Sequence, residues 1–413
     1  MNQLSEDPNF HYEALRSLGL VRYGGGDLAE QLAILPKIKP GDPESWYTEW
    51  EALARRVLSA AEENESQNLG PMSAASLRDM YFRASHYFFV ADFFIHGDQA
   101  DPRLRASYDN WRGCFDKANA LLPSPGEHAL VKTGHGFDVP ILIYQPPQCV
   151  SSPGPRPTLL AGGGFDSNYE ETYHVFAVPA LERGYNAILY EGPGQPTLLH
   201  TQKVGFIAEW EKVVSPILDY IADRQAQSDL SFIDFRKIGL VGMSLGGYLS
   251  ARAAAFEPRL AAVMCVDGVW SFQECAGQIV PEALAAFERG DRDACDEAFE
   301  RDYTRTTNRR WFHDHAKFSF QRQTGYEIMQ VAAKMNLDGG VAEKIKMPAF
   351  IGEATGDLFF GDQPARVARV VGSKASLVSF GDKHAASAHC QSGALSYLNQ
   401  KMMDWFGKVV DHS

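Results

Sequence analysis

The stretch that decides the fold lies at positions 237–255 and reads KIGLVGMSLGGYLSARAAA. Its apolar run at 238–241 is typical of a buried strand, and the small residues after Gly247 are typical of a helix. Between them, residues 242–246 match the pattern G-x-S-x-G. Where a strand turns sharply into a helix through this pattern, the serine hydroxyl is held above the sheet edge. The glycines remove side chains that would collide in so tight a turn. Ser244 is therefore predicted to be a nucleophile.

Strands alternate with helices on both sides of this stretch. Continuous apolar runs suit strands buried on both faces, and their alternation with helices indicates right-handed crossovers in a largely parallel sheet. The predicted strands lie at 129–132, 139–144, 158–161, 186–190, 238–241, 261–266, 348–351 and 376–380, and further predicted helices at 204–221 and 395–406. The fold class is α/β.

The first part of the chain has a different pattern. Apolar residues recur at helical spacing in 46–58, in the aromatic-rich stretch 77–95 and beyond Pro102, and the segment 122–126, LPSPG, breaks the pattern. We therefore predict a helical N-terminal cap domain over residues 1–125 and an α/β catalytic domain over 126–413. Charged helical sequence at about 268–340 interrupts the second domain and is predicted to be a lid-like insertion.

Composition excludes several classes of function. The 413 residues include 39 basic and 52 acidic side chains, a net charge of −13, which argues against binding to nucleic acid or to an anionic membrane. The apolar stretches are too short to cross a bilayer and the first residues are polar and acidic, so a cytoplasmic location is expected. Six scattered cysteines without a C-x-x-C pair predict neither a disulfide framework nor a zinc site. No metal or cofactor is expected, and the expected partner is a small-molecule substrate. The oligomeric state stays open, a homodimer included.

A serine nucleophile requires a histidine base and a carboxylate that orients it. When the serine lies in a sharp strand-to-helix turn of this kind, called a nucleophile elbow, the three residues follow one another along the chain in the order serine, acid, histidine. His384 and His389 both follow the last predicted strand, and His389 is favoured because it immediately precedes the final helix. The other histidines after the serine, at 313, 315 and 412, fall in the insertion or in the tail.

The acid is expected after the strand at 348–351. Asp357 lies a few residues beyond that strand, on a loop that can reach the histidine, and is the predicted acid. Glu353, nearer the strand, and Asp362, suited to capping the next helix, are the alternatives.

The oxyanion hole is predicted from two backbone amides. The Leu245 N–H follows the nucleophile, and the glycine-rich loop after the strand at 158–161 supplies the second donor. The Phe165 N–H is favoured there, with Gly164 as the alternative. The turn at 191–196, EGPGQP, matches no dinucleotide-binding pattern and is predicted to be a rigid turn lining the site.

Several segments resemble a known family. They are YGG at 23–25, DPESWYTEW at 42–50, RASHY at 83–87, GFDS at 164–167, EGPGQ at 191–195, GMSLGGY at 242–248, DLFF at 357–360 and HCQ at 389–391. On these segments the chain resembles the fungal secondary-metabolite α/β-hydrolases, especially the fusarin- and cytochalasan-pathway hydrolases. More distantly it is similar to the yellowish-green-pigment heptaketide hydrolase and to the bacterial 2,6-dihydroxypseudooxynicotine hydrolase.

The resemblance implies a helical cap over an α/β-hydrolase core and a triad of Ser244, Asp357 and His389. It implies polyketide or polyketide–amino-acid substrates, and reactions that range from ester or C–C hydrolysis to acyl transfer and ring closure. Pro196 departs from the family, where many relatives have glycine. The primary hypothesis is a serine hydrolase of this kind. An acyltransferase or cyclase with the same triad and a non-catalytic binding protein on a hydrolase fold are the alternatives.

Two roles are considered for aromatic residues of the predicted cap domain. They either pack helix against helix, which is favoured, or line a pocket between cap and core. The residues concerned are Trp46, Trp50, Tyr81, Phe82, Phe88 and Phe89. His86 is expected to be a buried structural residue.

Overall fold

Eight strands form one central sheet. The computed structural model describes residues 3–67, 70, 73–149, 154–301 and 303–411. The strands are β1 (Glu127–Lys132), β2 (Asp138–Tyr144), β3 (Arg156–Gly162), β4 (Asn186–Tyr190), β5 (Ile233–Met243), β6 (Ala262–Val266), β7 (Ala349–Ala354) and β8 (Ala375–Phe380). Their order is β1-β2-β4-β3-β5-β6-β7-β8. β2 pairs antiparallel with β1 and β4, and all later pairs are parallel. This is the predicted mostly parallel sheet.

Seventeen α-helices lie in the described part of the chain. Before the sheet come α1 (Pro8–Gly19), α2 (Leu28–Ile34), α3 (Pro43–Ser66), α4 (Ala74–Asp92) and α5 (Pro102–Ala120). Between the strands lie α6 (Tyr169–Thr172), α7 (Val178–Glu182), α8 (Pro196–Thr201), α9 (Glu211–Ala226) and α10 (Leu245–Phe256). The others are α11 (Phe272–Ile279), α12 (Pro281–Glu288), α13 (Arg292–Glu300), α14 (Thr307–Phe320), α15 (Gly325–Ala332), α16 (Gln363–Val371) and α17 (Leu395–Asp411). None of these helices is long and apolar enough to cross a bilayer.

The central strands are buried on both faces. In β5, Leu240 packs into one hydrophobic core while its neighbour Val241 packs into the other, as successive side chains of a strand point to opposite faces. Neighbouring strands repeat this alternation, with Val263 and Met264 in β6 on opposite sides. The continuous apolar runs of the sequence follow from this two-sided burial.

Helices α3, α4 and α5 pack together on the N-terminal side of the chain. The six aromatic rings singled out from the sequence are all buried among these helices. Trp46 illustrates the packing: its indole N–H donates to the Val90 carbonyl at 2.7 Å, and its ring lies edge-on to Phe94. None of the six lines the cavity described below. His86 is buried too, and its ring lies 2.8 Å from the Ser17 hydroxyl.

Helices α11–α15 form an insertion between β6 and β7. Its two ends are joined by backbone hydrogen bonds, from the Phe272 N–H to Met335 at 3.0 Å and from the Leu337 N–H to Trp270 at 3.0 Å. Five helices therefore leave the sheet and return at one point, which positions them over the end of the strands where loops gather.

One predicted helix begins later than expected. The apolar spacing predicts a helix from residue 204, but α9 starts at Glu211. Residues 204–206 instead bond to other elements: the Val204 carbonyl accepts from the Gly194 N–H at 2.9 Å, and the Phe206 N–H donates to Ser319 at 3.1 Å. Tertiary pairing of this backbone outweighs its helical periodicity.

Candidate active site

Ser244 lies in the turn between β5 and α10. Its backbone has a positive φ of 57° and a ψ of −130°. A residue other than glycine adopts this conformation only at a cost in free energy, and such strained residues cluster at functional sites. A Cβ on Gly242 would overlap the Gly246 carbonyl, and one on Gly246 would lie 2.6 Å from the Gly163 carbonyl. The glycines of the motif are therefore required by the close backbone approach that holds the serine up.

A hydrogen-bonded chain links the three residues predicted to form the triad. His389 Nε2 lies 3.0 Å from Ser244 Oγ, and His389 Nδ1 lies 2.8 Å from Asp357 Oδ2. Both the imidazole and the carboxylate are more than nine-tenths buried. With the Nδ1–H donating to the carboxylate, Nε2 has a free lone pair that can accept the serine proton.

The electrostatic environment favours the charged forms of His389 and Asp357. Burial by itself lowers the pKa of His389, but the Asp357 carboxylate, together with Cys390, Tyr12 and the hydrogen bond to Asp267, outweighs burial and holds that pKa well above its ordinary value. Burial likewise raises the pKa of Asp357, yet the charge of His389 and hydrogen bonds from the Phe359 and Phe360 N–H groups hold it below its ordinary value. The site thus favours a protonated imidazole beside an ionised carboxylate.

The alternative residues weighed from the sequence lie elsewhere. His384 stacks on Tyr397 in a surface turn, Glu353 lies within β7, and Asp362 precedes α16. In the insertion, His313 faces Asp314 and Glu300. Residue 412 lies outside the described residues.

A second carboxylate that sequence reasoning missed lies beside the histidine. Asp267 directly follows β6, and its Oδ2 is 3.1 Å from His389 Nδ1. The same carboxylate accepts the Cys390 N–H at 2.7 Å and the Gln391 side-chain amide at 3.3 Å. It is fully buried, and its φ is 65°. Its place directly after the strand beside β5 is the signal that could have found it.

Ligand atoms of Asp267, His389 and Cys390 lie within 4.8 Å of one another. The contact between His389 and Asp267 and the hydrogen bond from the Cys390 N–H to Asp267 account for this proximity.

The glycine-rich loop predicted to carry the second oxyanion donor lies against the turn that holds Ser244. Leu245 is the first residue of α10, where a backbone N–H has no intrahelical partner. Gly164 lies directly against the elbow, since a Cβ there would come within 2.6 Å of the Met243 carbonyl and 3.2 Å of the Leu245 nitrogen. The Gly164 N–H is already donated to the Ser167 hydroxyl at 2.6 Å. Of the two alternatives on this loop, the geometry therefore favours the Phe165 N–H.

The turn at 191–196 supports the oxyanion loop, the glycine-rich loop after β3 that carries the predicted second oxyanion donor. No residue of this turn lines the cavity beside Ser244 that is described below. The Gln195 side-chain amide donates to the Gly164 carbonyl at 3.2 Å. The buried Glu191 carboxylate accepts the Tyr169 N–H at 2.8 Å and the Thr197 N–H at 2.6 Å. The expectation that this turn lines the site is thus wrong, because its polar groups are consumed in holding neighbouring backbone.

Ser244 and His389 lie in the wall of a partly open cavity. Aromatic side chains dominate its walls, supplied by the oxyanion loop, the insertion and the loop after β7: Phe165, Phe272, Trp311, Phe312, Phe359 and Phe360. A cavity with a largely apolar lining and a few convergent polar groups is typical of a small-molecule site.

One face of α1 completes the cavity, a contribution the sequence analysis did not identify. Asn9, Tyr12, Glu13 and Arg16 line it at the spacing of one helix face. The Arg16 guanidinium donates to both oxygens of Glu171 at 2.6 Å.

The remaining Arg16 nitrogen is shared between two carboxylates. Its Nη1 lies 3.3 Å from Glu13 and 3.3 Å from Asp166. Burial raises the pKa of Glu13 to about 8, against the opposing charge of Arg16. The polar end of the cavity therefore holds more carboxylates than cations, and one of them retains its proton near neutral pH.

Comparison with known proteins shows which family the chain belongs to. No protein-family model matches the sequence. The hydrolase LUC6 of a Fusarium species is 31% identical over 420 residues, covering 99% of this chain and 98% of its own. The 20-hydroxy-prefusarin hydrolase FUS2 of Gibberella moniliformis is 31% identical, with 98% and 97% covered.

Among solved structures, the 2,6-dihydroxy-pseudo-oxynicotine hydrolase superposes with a TM-score of 0.71 at 22% identity, covering 95% of each chain. That likeness shows the α/β-hydrolase fold. Relatives at 31% identity match nearly the whole length of the chain. The protein is thus a hydrolase that belongs to the α/β-hydrolase family of fungal secondary-metabolite pathways.

Proposed function

We propose that this chain is a serine hydrolase that forms an acyl-enzyme on a carbonyl of a polyketide or polyketide–amino-acid small molecule. The observation that carries the proposal is the hydrogen-bonded chain from Ser244 through His389 to Asp357 at the wall of the cavity. It unites a nucleophile, a base and an orienting carboxylate in the geometry that acyl transfer requires.

Acylation begins when Ser244 Oγ attacks the substrate carbonyl and His389 Nε2 takes the serine proton. The new C–O bond turns the carbonyl oxygen into an oxyanion, which the Leu245 and Phe165 N–H groups stabilise. As the tetrahedral intermediate collapses, the bond to the leaving group breaks and His389 returns the proton to that group. Asp357 keeps the imidazole in the reactive tautomer throughout.

Deacylation repeats these steps with water. His389 removes a proton from the water molecule as its oxygen attacks the acyl carbon, and Ser244 leaves with that proton. Removal of one oxyanion donor typically lowers the rate by ~10²–10³.

The substrate class rests on the cavity and on the relatives. Aromatic walls favour a flat or unsaturated apolar molecule, and the Arg16 cluster at one side suits a polar substituent. One relative is named a 20-hydroxy-prefusarin hydrolase. These features support a polyketide-derived ligand.

A fluorophosphonate probe followed by intact-mass analysis tests the nucleophile. Wild type should gain one adduct and Ser244→Ala none. Hydrolysis of a p-nitrophenyl ester should likewise vanish in Ser244→Ala. Full turnover by that variant would contradict the proposal, and absence of an adduct on wild type would favour the non-catalytic binding protein.

The apolar walls favour one alternative outcome. In a water-poor cavity, a hydroxyl or amine of the substrate itself can attack the acyl-enzyme, which closes a lactone or lactam. Product formed in oxygen-18-labelled water separates the two reactions, because hydrolysis introduces the label and ring closure does not.

A further inference from the structure

A chain of buried hydrogen bonds runs from the cap helices to the oxyanion loop. His315 of α14 places its Nε2 3.0 Å from the Phe165 carbonyl oxygen. Its Nδ1 faces the Nδ1 of His96 at 2.9 Å, and the His96 Nε2 faces the Asp92 carboxylate at 3.2 Å. All three side chains are more than nine-tenths buried. The chain joins the end of α4, the insertion and the loop that carries the predicted oxyanion donor.

Valence fixes the direction of the two bonds that His315 makes. A carbonyl oxygen only accepts, so the His315 Nε2 carries the hydrogen. Burial lowers the pKa of His315 to about 3, so the ring is neutral and its Nδ1 accepts. The His96 Nδ1 must then donate, and one further proton lies between His96 Nε2 and Asp92. Asp92 holds the His96 ring through Nε2, and the His96 Nδ1–H in turn keeps the hydrogen of His315 on Nε2.

The rings that carry these bonds are held by their neighbours. The His315 ring meets the Phe165 ring edge-on at 4.6 Å and stacks on Trp311 at 6.2 Å. The His96 ring stacks on Phe318 at 4.7 Å. Ring rotation that would break the chain is therefore opposed by packing as well as by the hydrogen bonds.

The same loop is held from its other side by Gln195. Its side-chain amide donates to the Gly164 carbonyl, which shares a peptide plane with the Phe165 N–H and points the opposite way. His315 holds the next carbonyl along. The Phe165 N–H lies between these two fixed carbonyls.

We propose that His315, oriented by His96 and Asp92, is a positioning residue that keeps the Phe165 N–H aimed at the oxyanion. This role rests on the proposed function, because it requires an oxyanion to form at Ser244. It also means that the oxyanion hole reaches its working geometry when cap, insertion and core are assembled together.

Steady-state kinetics on a p-nitrophenyl ester test the role. His315→Leu should lower kcat by up to ~10²–10³, the loss expected for one oxyanion donor, with a much smaller change in KM. The acid limb of the pH profile, set by His389, should stay where it is. His315→Gln, which retains an N–H donor, should recover at least ~10-fold of the loss. His313→Leu is the matched control, since His313 is equally buried on the same helix but faces Glu300 and Asp314. It should keep the wild-type kcat.

Several results would overturn the proposal. They are an unchanged kcat in His315→Leu, a loss confined to KM, a displaced acid limb, or no recovery in His315→Gln. If the variants fail to fold, ¹⁵N chemical shifts of the wild-type histidines decide instead: His315 must carry its hydrogen on Nε2 and His96 on Nδ1. The opposite tautomers would refute it.

The two proposals fail in different ways. If Ser244 forms no fluorophosphonate adduct and the ester is not hydrolysed, the serine-hydrolase proposal falls. If wild type reacts normally and His315→Leu matches it, only the positioning role falls.

Discussion

Asp267 and His389 are in direct contact: the carboxylate Oδ2 lies 3.1 Å from the imidazole Nδ1, which is also 2.8 Å from Asp357. Two acids from the ends of adjacent strands, β6 and β7, thus converge on one nitrogen. The Asp267 carboxylate also accepts the Cys390 N–H, so it holds the histidine loop as well as the ring. This arrangement predicts that the two acids contribute differently to catalysis.

Asp267→Asn should shift the pH dependence of kcat/KM. A negative charge beside the imidazole favours its protonated form, so removing that charge lowers the pKa of His389. The base acts only when deprotonated, so the acid limb of the profile should move to lower pH. An unmoved limb would mean that Asp267 only holds the loop.

Asp357→Asn should reduce kcat by up to ~10⁴-fold, because replacing the orienting carboxylate of a triad by an amide leaves the histidine in the wrong tautomer. Because Asp267 can still accept from Nδ1, the double variant should lose more activity than Asp357→Asn alone. Rates at saturating ester measure both. Equal activity of the single and double variants would show that Asp267 gives no support in the absence of Asp357.

Glu13→Gln should change the pH dependence of stability. The folded pKa of Glu13 is raised to about 8 from an ordinary 4.5, chiefly by burial, so the folded protein holds a proton that the unfolded chain has lost. This contribution to stability is complete below pH 4.5 and is lost as pH rises through about 8. Glutamine cannot ionise, so denaturant unfolding of Glu13→Gln should lose less stability over that window. Exposed Glu6→Gln is the control and should follow wild type.

Arg16→Met should destabilise the protein by ~3–5 kcal/mol, the cost of leaving buried carboxylates without their cation. The side chain of Arg16 is 10% exposed and that of Glu171 is 1% exposed. Arg22→Met, which removes an exposed ion pair with Glu182, should cost ~0–1 kcal/mol. Equilibrium unfolding compares the two, and similar losses would contradict the assigned importance of burial.

Gly242→Ala should abolish activity and lower the melting temperature, because the added Cβ would overlap the Gly246 carbonyl. Gly113→Ala provides a control at an exposed position of α5, where a Cβ meets nothing within 4 Å. That substitution should raise stability by ~0.5–1 kcal/mol, since alanine favours helix over glycine. A folded, active Gly242→Ala enzyme would refute the tight elbow.

Local sequence predicted the sheet and the three residues of the hydrogen-bonded chain. Ser244, Asp357 and His389 each follow a strand that is visible as an apolar run, so chain order narrowed the candidates and position on the loop chose among them. Asp267 was missed because its contact depends on how β6 lies beside β7 and on a left-handed backbone. The helix face around Arg16 was missed because its partners are about 150 positions away, and no local pattern reveals such packing.

Because α1 forms part of the cavity wall, residues that shape the cavity and residues predicted to react with the substrate are encoded in separate parts of the gene. Residues 9–16 shape the space in which a ligand would rest, whereas the reacting groups are encoded more than two hundred codons later. Exchanging the segment that contains residues 9–16 between relatives therefore offers a way to change substrate selectivity while the reacting residues stay the same.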